Sequence, residues 1–198
     1  MIASAAEDPL AAAFPPAGPL DLGFALRWKD KRIGSYRVVI RPAGGGREAA
    51  VTIRIDMKVT FGPITMFRFL HDGEERWRDG ALATLRTHTE EHGDVYDVAG
   101  HATPHGLEIT GPLGPCRAPP GLLTSNALWC RAITRQTRII DAQNGAVVDF
   151  TATPAVGDSH FRFQGAAWEG EMWYDEAGLW SRAVLHRDGH TLAVHREG

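Results

Sequence analysis

Between Ala49 and Phe61 every second residue is apolar: Ala49, Val51, Ile53, Ile55, Met57, Val59 and Phe61, with Thr52, Arg54, Asp56, Lys58 and Thr60 between them. Period-two spacing over such a span belongs to a strand with one buried and one wet face. At about 3.3 Å per residue it would run roughly 43 Å, well beyond an ordinary strand, so it predicts a large, curved antiparallel sheet. Leu22, Phe24, Leu26 and Trp28 share one face of a preceding strand, and the polar turn Lys29-Asp30-Lys31-Arg32 leads into a second over 33–40. Arg41 to Arg47, with Pro42 and Gly44-Gly45-Gly46, reads as a loop.

After Gly62-Pro63, residues 64–77 carry Phe67 and Phe69 on one face and Ile64, Met66 and Leu70 on the other, which implies cover on both sides. Asp79-Gly80 and His92-Gly93-Asp94 are turn signals bounding a strand over 81–91, and strands over 95–102 and 107–110 follow. The stretch 111–121 holds Pro112, Pro115, Pro119 and Pro120, so it reads as a connector and not a central strand. Thr124 or Ser125 is placed to cap a short helix over 126–133, in which Leu128, Trp129, Ala132 and Ile133 share one side. Asn144-Gly145 marks a hairpin between strands over 134–141 and 146–151, and four more strands are expected over 161–164, 170–174, 179–186 and 191–195. The prediction is a mainly β chain: a single antiparallel meander of about eleven strands, curled into an unclosed half β-barrel with one short helix at its concave side.

With 198 residues, 43% of them hydrophobic, the chain supports one substantial core. The expected organisation is a flexible Ala/Pro-rich arm over 1–20 and a single half-barrel domain over 21–198. The arm lacks a basic n-region and an unbroken apolar run, so the chain reads as cytoplasmic as written and periplasmic if an export signal has been removed. No stretch approaches the roughly 18 apolar residues of a membrane-crossing helix. A formal charge of −3 gives no global attraction to phosphate backbones, which argues against a nucleic-acid partner. Cys116 and Cys130 either close a loop, a contribution of about 3 kcal/mol in an oxidising compartment, or remain two thiols.

Several strings are familiar together: KRIGSYRVVI from Lys31, EERWRDGALATLRTHTEEHGD from Glu74, RQTRIIDAQNGAVV from Arg135 after Trp129, and EMWYDEAGLWSRAVLHRDGH from Glu171. This set resembles a bacterial family known only as a domain of unknown function, itself similar to the unclosed β-barrels of the lipoprotein carriers LolA and LolB. The resemblance spans 22–195. It implies a half-barrel with room for a hydrophobic ligand, and it carries no catalytic residue across.

The chemistry-bearing residues give two sets. Glu74, Glu75, Arg86 and His88 fall on neighbouring strands joined by Asp79-Gly80, and a carboxylate beside a histidine can tune a general base. Cross-strand surface ion pairing explains the same residues. The second set is apolar: Met57, Phe67, Phe69, Trp77 and Trp129 are expected to wall a pocket, with Asn126, Arg86 and His88 as its polar groups. Histidine spacings such as His101 and His105, interrupted by Pro104, give no ligand pattern, and neither a metal nor a cofactor is expected. No nucleophile elbow or phosphate loop is present.

The leading expectation is a carrier or binder of a hydrophobic or amphipathic small molecule or lipid. The alternative is a lipocalin-like enzyme, a cyclase, isomerase or hydrolase, acting on an apolar metabolite in the same cavity. An interaction module with an exposed sheet edge is a third. Ligand identity and oligomeric state are left open.

Overall fold

The computed structural model describes residues 19–44, 47–165 and 167–198. Most of the expected N-terminal arm, with its export-signal question, and two glycines of the 41–47 loop lie outside the described residues.

Thirteen strands form one antiparallel sheet. The first eight run as a meander: β1 (Leu20–Trp28), β2 (Lys31–Ala43), β3 (Glu48–Phe61), β4 (Ile64–Arg78), β5 (Ala81–Glu91), β6 (Asp94–Thr103), β7 (Gly106–Gly111) and β8 (Gly114–Ala118). A separate hairpin, β9 (Arg138–Ile140) with β10 (Val147–Asp149), follows. The chain then re-enters the sheet as β11 (Thr151–Val156), β12 (His160–Gln164), β13 (Glu169–Tyr174), β14 (Trp180–Arg187) and β15 (His190–Glu197). Because β15 pairs with β1, the two meanders fuse, and β8 and β11 are left as the edges of an unclosed sheet.

Both edge strands depart from the expected count of about eleven. Pro115 sits in β8 and Pro154 in β11; each strand is hydrogen-bonded on one side only, where a missing N–H costs no ladder bond. The "connector" of the sequence is thus partly an edge strand. The alternating strand is fourteen residues long, with Ala49, Val51, Ile53 and Met57 buried. Its pattern ends at a bulge between Val59 and Thr60, which turns Phe61 out to 78% exposure opposite Ile64.

The segment between β8 and β11 folds back over the concave face as a plug. The expected helix is absent. Two short 3-10 turns, Ser125–Trp129 and Arg131–Arg135, stand in its place, separated by an extended Cys130 that bridges to Leu179. Thr124 is at the capping position but caps nothing, because its hydroxyl donates to the Glu75 carboxylate. Leu123, Ala127, Trp129, Ile133, Ile140 and Phe150 of the plug are buried against Phe24, Val38, Ile53, Leu85 and Trp180 of the sheet. Cys116 and Cys130 are both free thiols.

Candidate functional site

Along β4, residues two apart share a face, so Phe67, Phe69, His71, Gly73, Glu75 and Trp77 form one inward row. The row runs from the rim of the sheet to its floor beneath the plug. Cross-strand pairing sets Met57 beside Phe69, Ile55 and Thr89 beside His71, and Leu85 beside Glu75.

Two apolar hollows lie over this row. An outer vestibule of about 660 Å³ is walled by Trp28, Ile33, Val59, Phe61, Met66 and Phe67, with Glu91, His92, Arg187 and His190 at its rim. An inner chamber of about 170 Å³ lies between the sheet and the plug, lined by Tyr36, Ile55, His71, Asn126, Leu128, Ile139, Phe150, Phe163 and Trp180 among others. Met57, Phe69, Trp168 and Leu192 line both hollows, which adjoin across these four side chains. Polar groups brace that boundary: Gln143 of the plug donates to Glu91 at 2.8 Å, Arg187 pairs with Glu91 at 3.4 Å, and the Arg187 guanidinium lies over the Trp168 ring.

Of the expected ligand-binding residues, Met57 and Phe69 line both hollows, Phe67 the vestibule and Asn126 the inner chamber. Trp77 and Trp129 line neither hollow. Both are core side chains, Trp77 donating to Glu75 at 3.0 Å and Trp129 packed with the plug, so neither forms a wall or lid.

The expected acid–base group is split by strand parity. Glu74, Arg86 and His88 face outward, Glu74 directly opposite Arg86. The His88 ring bonds Asp97 at 2.7 Å and lies 3.4 Å from Glu90, and these hydrogen bonds raise its basicity. They belong to an outer lattice of cross-strand ion pairs that includes Arg37 with Asp21, Arg54 with Asp72, and Arg68 with Asp56. Glu75 alone of the four points inward, at 1% exposure. Its two oxygens accept from the Thr124 hydroxyl at 2.6 Å and the Trp77 indole. Burial pushes its carboxyl up, against the opposing pull of those two donors and of Asn126. Among the described residues, no group of three or more histidine, cysteine or acidic side chains is arranged to hold a metal ion.

Sequence reasoning missed His71 and Tyr36. His71 is 3% exposed, with Nδ1 bonded to the Thr89 hydroxyl at 2.7 Å, and burial lowers its pKa to about 4. The Tyr36 hydroxyl donates to the Asn126 backbone carbonyl at 3.2 Å, and burial keeps it protonated. Counting in twos from Phe69 would have placed His71 inside.

No helix is long and apolar enough to cross a membrane. None of the curated proteins matches the chain. Among solved structures, it is similar to a beta-barrel-like protein of domain of unknown function DUF1849 from Brucella abortus, at 8% identity and a TM-score of 0.53, over 90% of this chain and 94% of that one. At that identity the likeness shows a common barrel-like fold. The model of the domain of unknown function DUF6134 matches residues 24–197, from the first strand to the last, and the chain belongs to that family.

Proposed function

We propose that the protein binds a hydrophobic or amphipathic small molecule in its concave hollow. The observation that carries this reading is a pair of adjoining apolar hollows that share Met57, Phe69, Trp168 and Leu192. A sheet that curls around a plug can fill its interior with side chains; here an inner space comparable to a cavity that holds a benzene ring lies beside a larger apolar mouth. The unclosed barrel of the lipoprotein carriers, holding acyl chains, supports the same reading by analogy of fold. The enzyme alternative gains nothing from the geometry, since Glu74, Arg86 and His88 lie on the opposite face from the hollow.

The test is titration with 1,6-diphenylhexatriene, a pure hydrocarbon that fluoresces on leaving water. Wild type is expected to bind it saturably. Leu192→Trp, which adds an indole to the boundary, is expected to weaken binding about tenfold, close to 1.4 kcal/mol, without lowering the unfolding midpoint. Native mass spectrometry and solvent extraction of the purified protein would identify what it carries. A wild type that does not bind the probe, or a Leu192→Trp protein that binds it equally well, would remove the hollow as the site.

A further inference from the structure

The inner end of the hollow holds two buried side chains with a polar atom that makes no hydrogen bond of good geometry, His71 Nε2 and Asn126 Nδ2, although the Asn126 amide lies near enough to His71 and Glu75 to act on both. They are 3% and 5% exposed, and both line the inner chamber. They converge above Gly73, where an added Cβ would lie 3.0 Å from Asn126 Nδ2 and 3.3 Å from His71 Nε2. Glycine at this position keeps the space in front of both nitrogens open. The indole Nε1 of Trp180, which also lines the chamber, is a further buried donor without a partner.

The protonation of His71 follows from its neighbour. Thr89 is fully buried, and its hydroxyl has a single hydrogen-bond partner, His71 Nδ1. If the hydroxyl donates to Nδ1, the Thr89 hydrogen is satisfied, and the ring proton sits on Nε2. The two converging atoms are then both donors. Leaving two such donors unsatisfied in an apolar chamber is unfavourable, and an acceptor oxygen between them removes that cost.

The charge of that acceptor is constrained as well. Among the described residues, no lysine or arginine lines the inner chamber. Its ionisable residues are His71 and Tyr36, both kept neutral at pH 7 by burial, and Asp141, whose oxygens accept from the Gln143 backbone and the Asn144 amide. Glu75, two residues along the row from Gly73, faces the same interior. An anionic head would enter without a counter-ion and beside a carboxyl group. A cationic head would meet donors.

We propose that His71 and Asn126 hold the neutral hydrogen-bond-accepting head of an amphiphile, the carbonyl oxygen of a ketone, ester or amide, with its hydrocarbon tail running out past Met57 and Phe69 into the vestibule. This rests on the hollow being a ligand site. The experiment uses the full chain, with 2-nonanone labelled at the carbonyl carbon as the probe and displacement of diphenylhexatriene as the readout. In wild type, 2-nonanone is expected to displace the hydrocarbon and its carbonyl stretch to move to lower frequency on binding. Asn126→Leu, which removes a donor, and Gly73→Ala, which fills the cradle while keeping both donors, are each expected to weaken 2-nonanone about tenfold and abolish the frequency shift. Diphenylhexatriene affinity, measured on each variant alongside, separates a lost head-group contact, which moves the ketone alone, from a blocked hollow, which moves both. Nonanoate at pH 8 is expected to compete at least about tenfold less well than the ketone. If 2-nonanone binds the variants as tightly as wild type, shows no carbonyl shift, or is matched by nonanoate, the head-group site is wrong while the hollow stands. If wild type fails to bind diphenylhexatriene, the hollow itself is wrong.

Discussion

Replacing Glu75 by alanine is expected to destabilise the fold by about 3–5 kcal/mol. Glu75 joins the sheet to the plug: one oxygen accepts from Trp77 on its own strand and the other from Thr124 at the head of the first 3-10 turn. In a site with 1% exposure, no water replaces the lost acceptor for Thr124, and the missing side chain leaves a void. Glu75→Gln retains the shape and one acceptor, and should cost about 1 kcal/mol at pH 7. Because burial raises the carboxyl pKa, its protonated form is the one favoured by folding. Glu75 therefore contributes stability that is present at low pH and lost as pH rises through the raised value. The glutamine variant should lack that slope. Urea unfolding at matched m-values is the measurement, and a cost below about 1 kcal/mol for Glu75→Ala would show that the plug is held without the carboxylate.

The sheet was readable in the sequence wherever one face is buried and the other wet. The row Ala49 to Met57 and the turn dipeptide Asp79-Gly80, with φ of 52° and 77°, stated their roles directly. Proline concealed the edge strand β8, since its exclusion from sheets holds only for strands paired on both sides. The helix was misjudged because local pattern cannot show that Thr124 spends its hydroxyl on a residue forty-nine positions earlier. Adjacent carboxylates misled in a different way. Glu74 and Glu75 look like one acidic pair, but neighbours on a strand point to opposite faces, so one lies on the exposed outer face and the other in the core. Met57, Phe67, Phe69 and Asn126 are at the hollow because inward parity and aromatic bulk are local signals. His71 carried no such signal: flanked by Leu70 and Asp72, it reads as a surface histidine until the parity is counted.

His71 makes the protein acid-labile by a mechanism that can be separated from general acid unfolding. Its pKa falls from an ordinary 6.5 to about 4, chiefly because burial disfavours the imidazolium, with Asn126 and Asp72 pulling weakly the other way. Between those values the unfolded chain binds a proton that the folded chain refuses, so stability falls as pH falls. The stabilisation is complete above pH 6.5, and about 3 kcal/mol of it is gone by pH 4. Glu75 acts in the opposite sense, regaining stability as it protonates, while Asp175, held low although burial opposes the Leu179 backbone and Arg196, adds to acid loss. The difference between two proteins isolates the histidine better than either slope. His71→Gln, which keeps a side chain able to reach Thr89, should lose about 3 kcal/mol less than wild type between pH 7 and pH 4 by urea unfolding, even if it begins less stable. Parallel pH profiles for the two proteins would mean that His71 accepts a proton without unfolding the plug, and that the inner chamber is wetter than its apolar lining implies.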